Sequence, residues 1–82
     1  MKRKKTKVVY KDLKKYWGWA DVDKNVIELS KNMTGRRHLD IILHESIHLM
    51  LPSLDEDFVK EKAKWLRDIL WEDGYRKQTP QE

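Results

Sequence analysis

The sequence predicts an α+β fold, a small antiparallel β-sheet of two or three strands packed on two α-helices. Three observations carry that expectation. Apolar and polar residues alternate from Asn25 to Ser30, as in a half-buried strand. Two later stretches, Arg36–Leu51 and Asp55–Asp73, contain no Gly or Pro and carry apolar residues at helical spacing. The two patterns also occupy separate halves of the chain, the arrangement of α+β rather than α/β folds. At 82 residues the chain is one small domain, and a chain of this size buries only roughly 60% of its unfolded surface.

Taken in order, residues 1–7 read as a disordered basic arm, with Lys2, Arg3, Lys4, Lys5 and Lys7 and no acidic residue. The folded domain is expected over 8–77, and 78–82 as a frayed polar end. Lys7 to Tyr10 is a short β-rich run and the candidate third strand. Residues 16–20 and 25–30 read as a hairpin, because Asp21, Asp23, Lys24 and Asn25 between them are turn formers. Thr34 is placed to cap the first helix, which Pro52 stops. On a helical projection of about 100° per residue, Leu39, Ile42, Leu43, Ser46, Ile47, Leu49 and Met50 share one arc, and His44, Glu45 and His48 the opposite one. The second helix is expected from about Asp55 to Asp73, with Val59, Ala63, Leu66, Ile69 and Leu70 as its apolar stripe and Phe58, Trp65 and Trp71 flanking it. Ser53 and Glu56 have the spacing of a capping box at its start, and Gly74 suits the position just past its end.

Composition narrows the functions. Lys plus Arg is 18 against 14 Asp plus Glu, but five of the 18 lie in the arm, leaving 13 against 14 from Val8 onward. The positive charge therefore belongs to a tail and not to a face, which argues against a nucleic-acid footprint across the whole domain. With no cysteine, disulfides, thiolate zinc fingers and cysteine nucleophiles are excluded. No apolar run approaches the roughly 20 residues of a membrane span, and the basic start lacks the apolar stretch of a signal peptide. The expectation is a soluble, cytoplasmic protein with no membrane partner. At this size, a chain without disulfides often depends on a metal or a partner, and the many aromatics suit a homodimer.

The chemistry sits at His44-Glu45-Ser46-Ile47-His48, an H-E-x-x-H sequence in a helical context. Residues i and i+4 of a helix stand one above the other with Cβ atoms about 5–6 Å apart, so two imidazoles can converge on one tetrahedral ion. Glu45 is turned about 100° from His44, a poor ligand position but a good one for a general base acting on a water that zinc has acidified. A catalytic zinc needs a third protein ligand. His38 lies more than a turn upstream and points elsewhere. The metzincin pattern wants a histidine at position 54, which is Leu54. That leaves the acidic residues Asp55, Glu56, Asp57 and Glu61, brought back by the turn at Pro52 and Ser53. Glu56 is favoured, with Glu61 as the alternative.

The string Leu43-His-Glu-Ser-Ile-His48, followed by Leu51-Pro52, Leu54-Asp55-Glu56, Val59, Leu70-Trp71 and Gly74-Tyr75-Arg76, resembles very short zinc metallopeptidase-like proteins of phage and prophage type. These are similar to minimal gluzincin and SprT-like zincin scaffolds. The resemblance covers roughly residues 16 to 76, the helical half most closely. It implies a minimal zincin core and a Zn2+ cofactor. It also implies His44 and His48 as metal ligands, Glu45 as catalytic base and Glu56 as the acidic ligand after the proline turn. It further implies hydrolysis of a peptide or protein substrate. Larger zincins add a cleft-forming subdomain, for which there is no room here, and an oxyanion-steadying side chain. Tyr16, Tyr75 and Arg76 are the residues available for that part.

Two other features have readings of their own. Trp17-Gly18-Trp19 reads as a packed strand, one Trp facing the helices and the other shielding an edge, with an aromatic binding surface as the rival. If the hairpin lies beside the metal helix, its edge suits strand addition by an extended peptide. The basic arm reads as a solvated tail, with a weak, salt-sensitive contact to nucleic acid as its functional reading. The basic residues of the second helix read as a solvated face with i,i+4 ion pairs. The competing functional classes are a non-catalytic, zinc-stabilised interaction or nucleic-acid-associated module and a small DNA-binding protein driven by the arm.

Overall fold

The computed structural model describes residues 5–77. Most of the expected basic arm and all of the expected C-terminal end therefore lie outside the described residues. Three strands, β1 (Lys7–Lys11), β2 (Gly18–Asp21) and β3 (Val26–Ser30), precede two helices, α1 (Gly35–Met50) and α2 (Glu56–Glu72). The α+β architecture is as expected, but the sheet is mixed and not antiparallel. Its order is β1-β3-β2. β2 and β3 form the expected antiparallel hairpin, and β1 pairs with β3 in parallel, Lys7 to Lys11 opposite Val26 to Ser30. The physical reason is apolar content. β3 supplies Ile27 and Leu29, both buried, and a strand with two such residues gains most at the centre, with a neighbour on either edge. Lys7 is the first residue of β1, and Thr6 Oγ1 donates to Asn25 Oδ1 at 2.9 Å, so the chain is already anchored within the expected arm.

Register aligns two rows of side chains toward the helices: Tyr10, Leu29 and Gly18 in one, Val8, Ile27 and Ala20 in the other. Ile27, Leu29 and Met33 form one core cluster, covered by Ile41, Ile42 and Leu49 of α1. Ile47, Val59 and Ala63 form a second between the helices, joined by Leu43, Leu54 and Leu66. The apolar arcs expected on both helices are thus the buried ones at their centres. Two residues of those arcs near the helix ends are exposed, Met50 at 61% and Ile69 at 47%, and so is the flanking Trp65 at 63%.

The helices run antiparallel. Arg36 at the start of α1 meets Asp68 late in α2 at 3.0 Å, while His48 near the end of α1 meets Glu56 at the start of α2. Charge pairs bridge the helices instead of running i,i+4 along α2, since Arg67 also reaches Asp40 of α1 at 3.7 Å. Gly74 takes the left-handed conformation, φ 93°, that ends α2. Thr34 is the N-cap residue of α1 as expected, although its hydroxyl makes no capping bond. The start of α2 differs from expectation. Asp55, not Ser53, is the N-cap, its carboxylate accepting from the Phe58 backbone N–H at 2.9 Å. An ionised carboxylate is a stronger acceptor than a hydroxyl and also faces the positive end of the helix dipole.

Candidate metal centre

The end of α1 and the start of α2 bring three donor groups to one point. His44 and His48 stand one turn apart on α1, with Nε2 atoms 3.1 Å apart and ring centroids at 4.7 Å. Glu56, the first residue of α2, sets Oε1 2.8 Å from His44 Nε2 and Oε2 2.9 Å from His48 Nε2. The ligand atoms of these three residues all lie within 4.8 Å of one another, and the group could hold a metal ion. A tetrahedral ion with bonds of about 2.0–2.1 Å separates its ligands by about 3.3 Å. The donors here need only spread by a few tenths of an ångström to admit it. Two imidazole nitrogens and a carboxylate oxygen suit a borderline cation such as zinc and match hard cations poorly, since the latter prefer all-oxygen shells.

Local sequence explains why Glu56 arrives there. Because Asp55 caps the helix, Glu56 is not spent on capping. Leu54, just before the cap, packs against the cluster that contains Val59, a hydrophobic staple that sets how the chain enters α2. Glu61, the alternative ligand, is outside the group and exposed, near Lys62 at 3.9 Å. Asp57 is exposed on the first turn of α2. His38 is excluded from the site by its own bond. It is buried and pairs with the Tyr10 hydroxyl through Nε2 at 2.9 Å.

Glu45 lies beside the three donors without joining them. It lines the same cleft of about 490 Å³, together with Tyr16, Gly18, Ala20, Val22 and Pro52. Burial pushes its carboxyl above the ordinary carboxylate range, the neighbouring His44 and His48 act against that, and Glu56 adds to it. The approach of β2 causes the burial, and Gly18 permits the approach. A Cβ at position 18 would stand 2.7 Å from Ile41 Cγ2 and 3.0 Å from Glu45 Cγ, so only glycine lets this strand lie so close to α1. Sequence reasoning did not place Gly18 in the site. The available signal was a glycine inside a strand, which marks close approach of another element.

The aromatic residues around Gly18 are not arranged as expected. Trp17 and Trp19 are both exposed, at 44% and 53%. Trp17 lies under the Arg37 guanidinium at 4.8 Å, and Trp19 meets Tyr16 at 5.9 Å between centroids. With Gly18 filling the inward position, its neighbours on either side are left at the surface. Tyr16 borders the cleft, whereas Tyr75 and Arg76 follow the far end of α2, where Arg76 Nη1 donates to the Trp71 carbonyl at 2.8 Å.

No protein-family model, curated protein or solved structure matches the chain. Among the described residues, no helix is long and apolar enough to cross a membrane.

Proposed function

We propose that the protein is a minimal zinc-dependent metallopeptidase, with His44, His48 and Glu56 as the metal ligands and Glu45 as the general base. The observation that carries this reading is the convergence of His44, His48 and Glu56 on one point, with Glu45 beside them but outside the group. Zinc, when bound, would polarise the peptide carbonyl and bring water toward a pKa of about 7. Glu45 takes the proton from water as its oxygen attacks the carbonyl carbon, then delivers that proton to the leaving amine nitrogen. Tyr16, at the cleft margin, is the side chain best located to hydrogen-bond the carbonyl oxygen. Among the described residues β2 pairs with β3 alone, and its other edge, beside the site, offers backbone groups to an extended substrate.

Zinc stoichiometry by elemental analysis tests the site, on wild type, His48→Ala and Glu45→Gln. The expected result is one zinc in wild type, none in His48→Ala and one retained in Glu45→Gln. Absence of zinc from wild type after reconstitution would sink the reading. Cleavage of a peptide library follows, with activity expected in wild type and lost in Glu45→Gln. Zinc that stabilises the fold without any cleavage would leave the zinc-stabilised interaction module as the function.

A further inference from the structure

The cleft at the metal centre does not end there. Tyr16, Gly18, His44, Glu45 and Glu56 also line a second hollow, which continues past Lys15, Lys60 and Lys64 to Asp40 and Arg67. That hollow in turn shares Trp17, Asp40, Ile41 and Arg67 with a third, bounded by Arg36 and Arg37. The three hollows thus adjoin along one groove-like surface, with the donor group bordering the first two and the cations gathered around the second and third.

Those cations fall into two kinds. Arg36 and Arg67 are held by carboxylates, Asp68 for both and Asp40 for Arg67 as well. Lys15, Lys60 and Lys64 make no ion pair among the described residues, and Arg37 faces only the Trp17 ring. For Lys60 the reason is specific. Its natural i,i+4 partner on the helix is Glu56, but both Glu56 oxygens are turned to His44 and His48. Lys60 therefore stands without an ion pair one turn from the donor group, and Lys64 does so a turn further on.

The spacing of this ladder is informative. Four residues of α-helix rise about 6 Å, so Lys60 stands about 6 Å and Lys64 about 12 Å beyond Glu56 along the axis. An extended peptide advances about 6.6–6.8 Å for every two residues, and alternate side chains share one face. One rung of the ladder thus matches two residues of an extended chain. Resting on the metallopeptidase reading, we infer that the substrate is an extended acidic peptide, with carboxylate side chains at alternate positions that meet Lys60 and Lys64. Single-stranded nucleic acid fits less well. The edge of β2, whose Gly18 lines the same hollow, offers main-chain pairing that a peptide backbone can accept and a sugar-phosphate backbone cannot.

The test is binding, which does not require turnover. Zinc-loaded Glu45→Gln protein is titrated by fluorescence anisotropy with three labelled octapeptides of one length and background sequence. One carries Glu at alternate positions, one the same Glu residues adjacent, and one Gln in place of Glu. Exposed ion pairs are individually weak, so the alternating peptide should bind about five- to tenfold more tightly than the Gln peptide, with the advantage fading as salt rises. Lys60→Gln/Lys64→Gln should erase the advantage while zinc content and circular dichroism stay unchanged. Equal affinity for the three peptides, no peptide binding, or a lysine-dependent preference for a single-stranded oligonucleotide over the acidic peptide would overturn the inference. The two readings fail separately. Cleavage of peptides without acidic preference overturns this inference alone, and acidic-peptide binding without cleavage by wild type overturns only the peptidase.

Discussion

At the scale of single residues, the site rests on one carboxylate and one missing side chain. On the proposed function, Glu45→Gln keeps the shape and removes the general base, so metal content should persist while cleavage falls by at least about a hundredfold, the usual contribution of such a group. Gly18→Ala puts a methyl 2.7 Å from Ile41 Cγ2. Urea denaturation should show a loss of about 1–3 kcal/mol, the range for overpacking; wild-type stability in this variant would mean that β2 can retreat freely. His38 offers a pH test away from the candidate metal centre. Burial holds its pKa below the ordinary value of 6.5, and the Lys77 charge acts in the same direction. The folded state thus binds the proton less readily than the unfolded chain. The His38 contribution is complete above pH about 6.5 and is lost as pH falls toward the folded value. Denaturation midpoints should drop through that window in wild type and drop less in His38→Gln. The residues of the motif were legible because an i,i+4 pair is placed by helix geometry alone. Gly18 was not, because its meaning depends on what crosses over it.

At the scale of elements, the junction between α1 and α2 decides whether a third donor reaches the histidines. Asp55 accepts from Phe58 N–H and Leu54 packs beneath the first turn, so both orient Glu56 without touching the metal centre themselves. Asp55→Ala should cost about 1 kcal/mol of stability and weaken zinc affinity, whereas Asp55→Asn, which keeps the capping oxygen without the charge, should restore most of both. Titration with a chelating dye separates the two effects. The helices were predictable almost to the residue, because their stripes and terminators are local. The strand order was not. Turn residues identify the β2–β3 hairpin, but nothing near Lys7–Lys11 says that it runs parallel to β3. That pairing joins segments about nineteen positions apart in register, as Lys7 with Val26, and is chosen by which strand most needs two neighbours. The i,i+4 ion pairs expected on α2 also gave way to pairs between helices, once α1 supplied closer partners.

At the scale of the whole molecule, two small clusters serve as core, one between sheet and α1 and one between the helices. A metal held by His44, His48 and Glu56 would fasten α1 to α2 at the end where they are joined. Ligand at a hundred times its dissociation constant stabilises by about 2.7 kcal/mol, and in a domain of this size each kcal/mol moves the melting temperature by about 4–8 °C. Zinc should therefore raise the Tm of wild type by more than about 10 °C and leave His48→Ala unmoved, as read by differential scanning calorimetry. Local sequence specifies the α+β class, the two helices, and the paired histidines with their neighbouring glutamate. All of these follow from short-range periodicity and helix geometry. The packing of the folded chain, in contrast, settled that Glu56 and not Glu61 faces the histidines, that β1 runs parallel beside β3, that Gly18 brings β2 against Glu45, and that Lys60 and Lys64 are left lining a groove. Those outcomes depend on which surfaces meet across the fold, and contacts between distant segments are chosen by the total burial of the molecule, which no local pattern encodes.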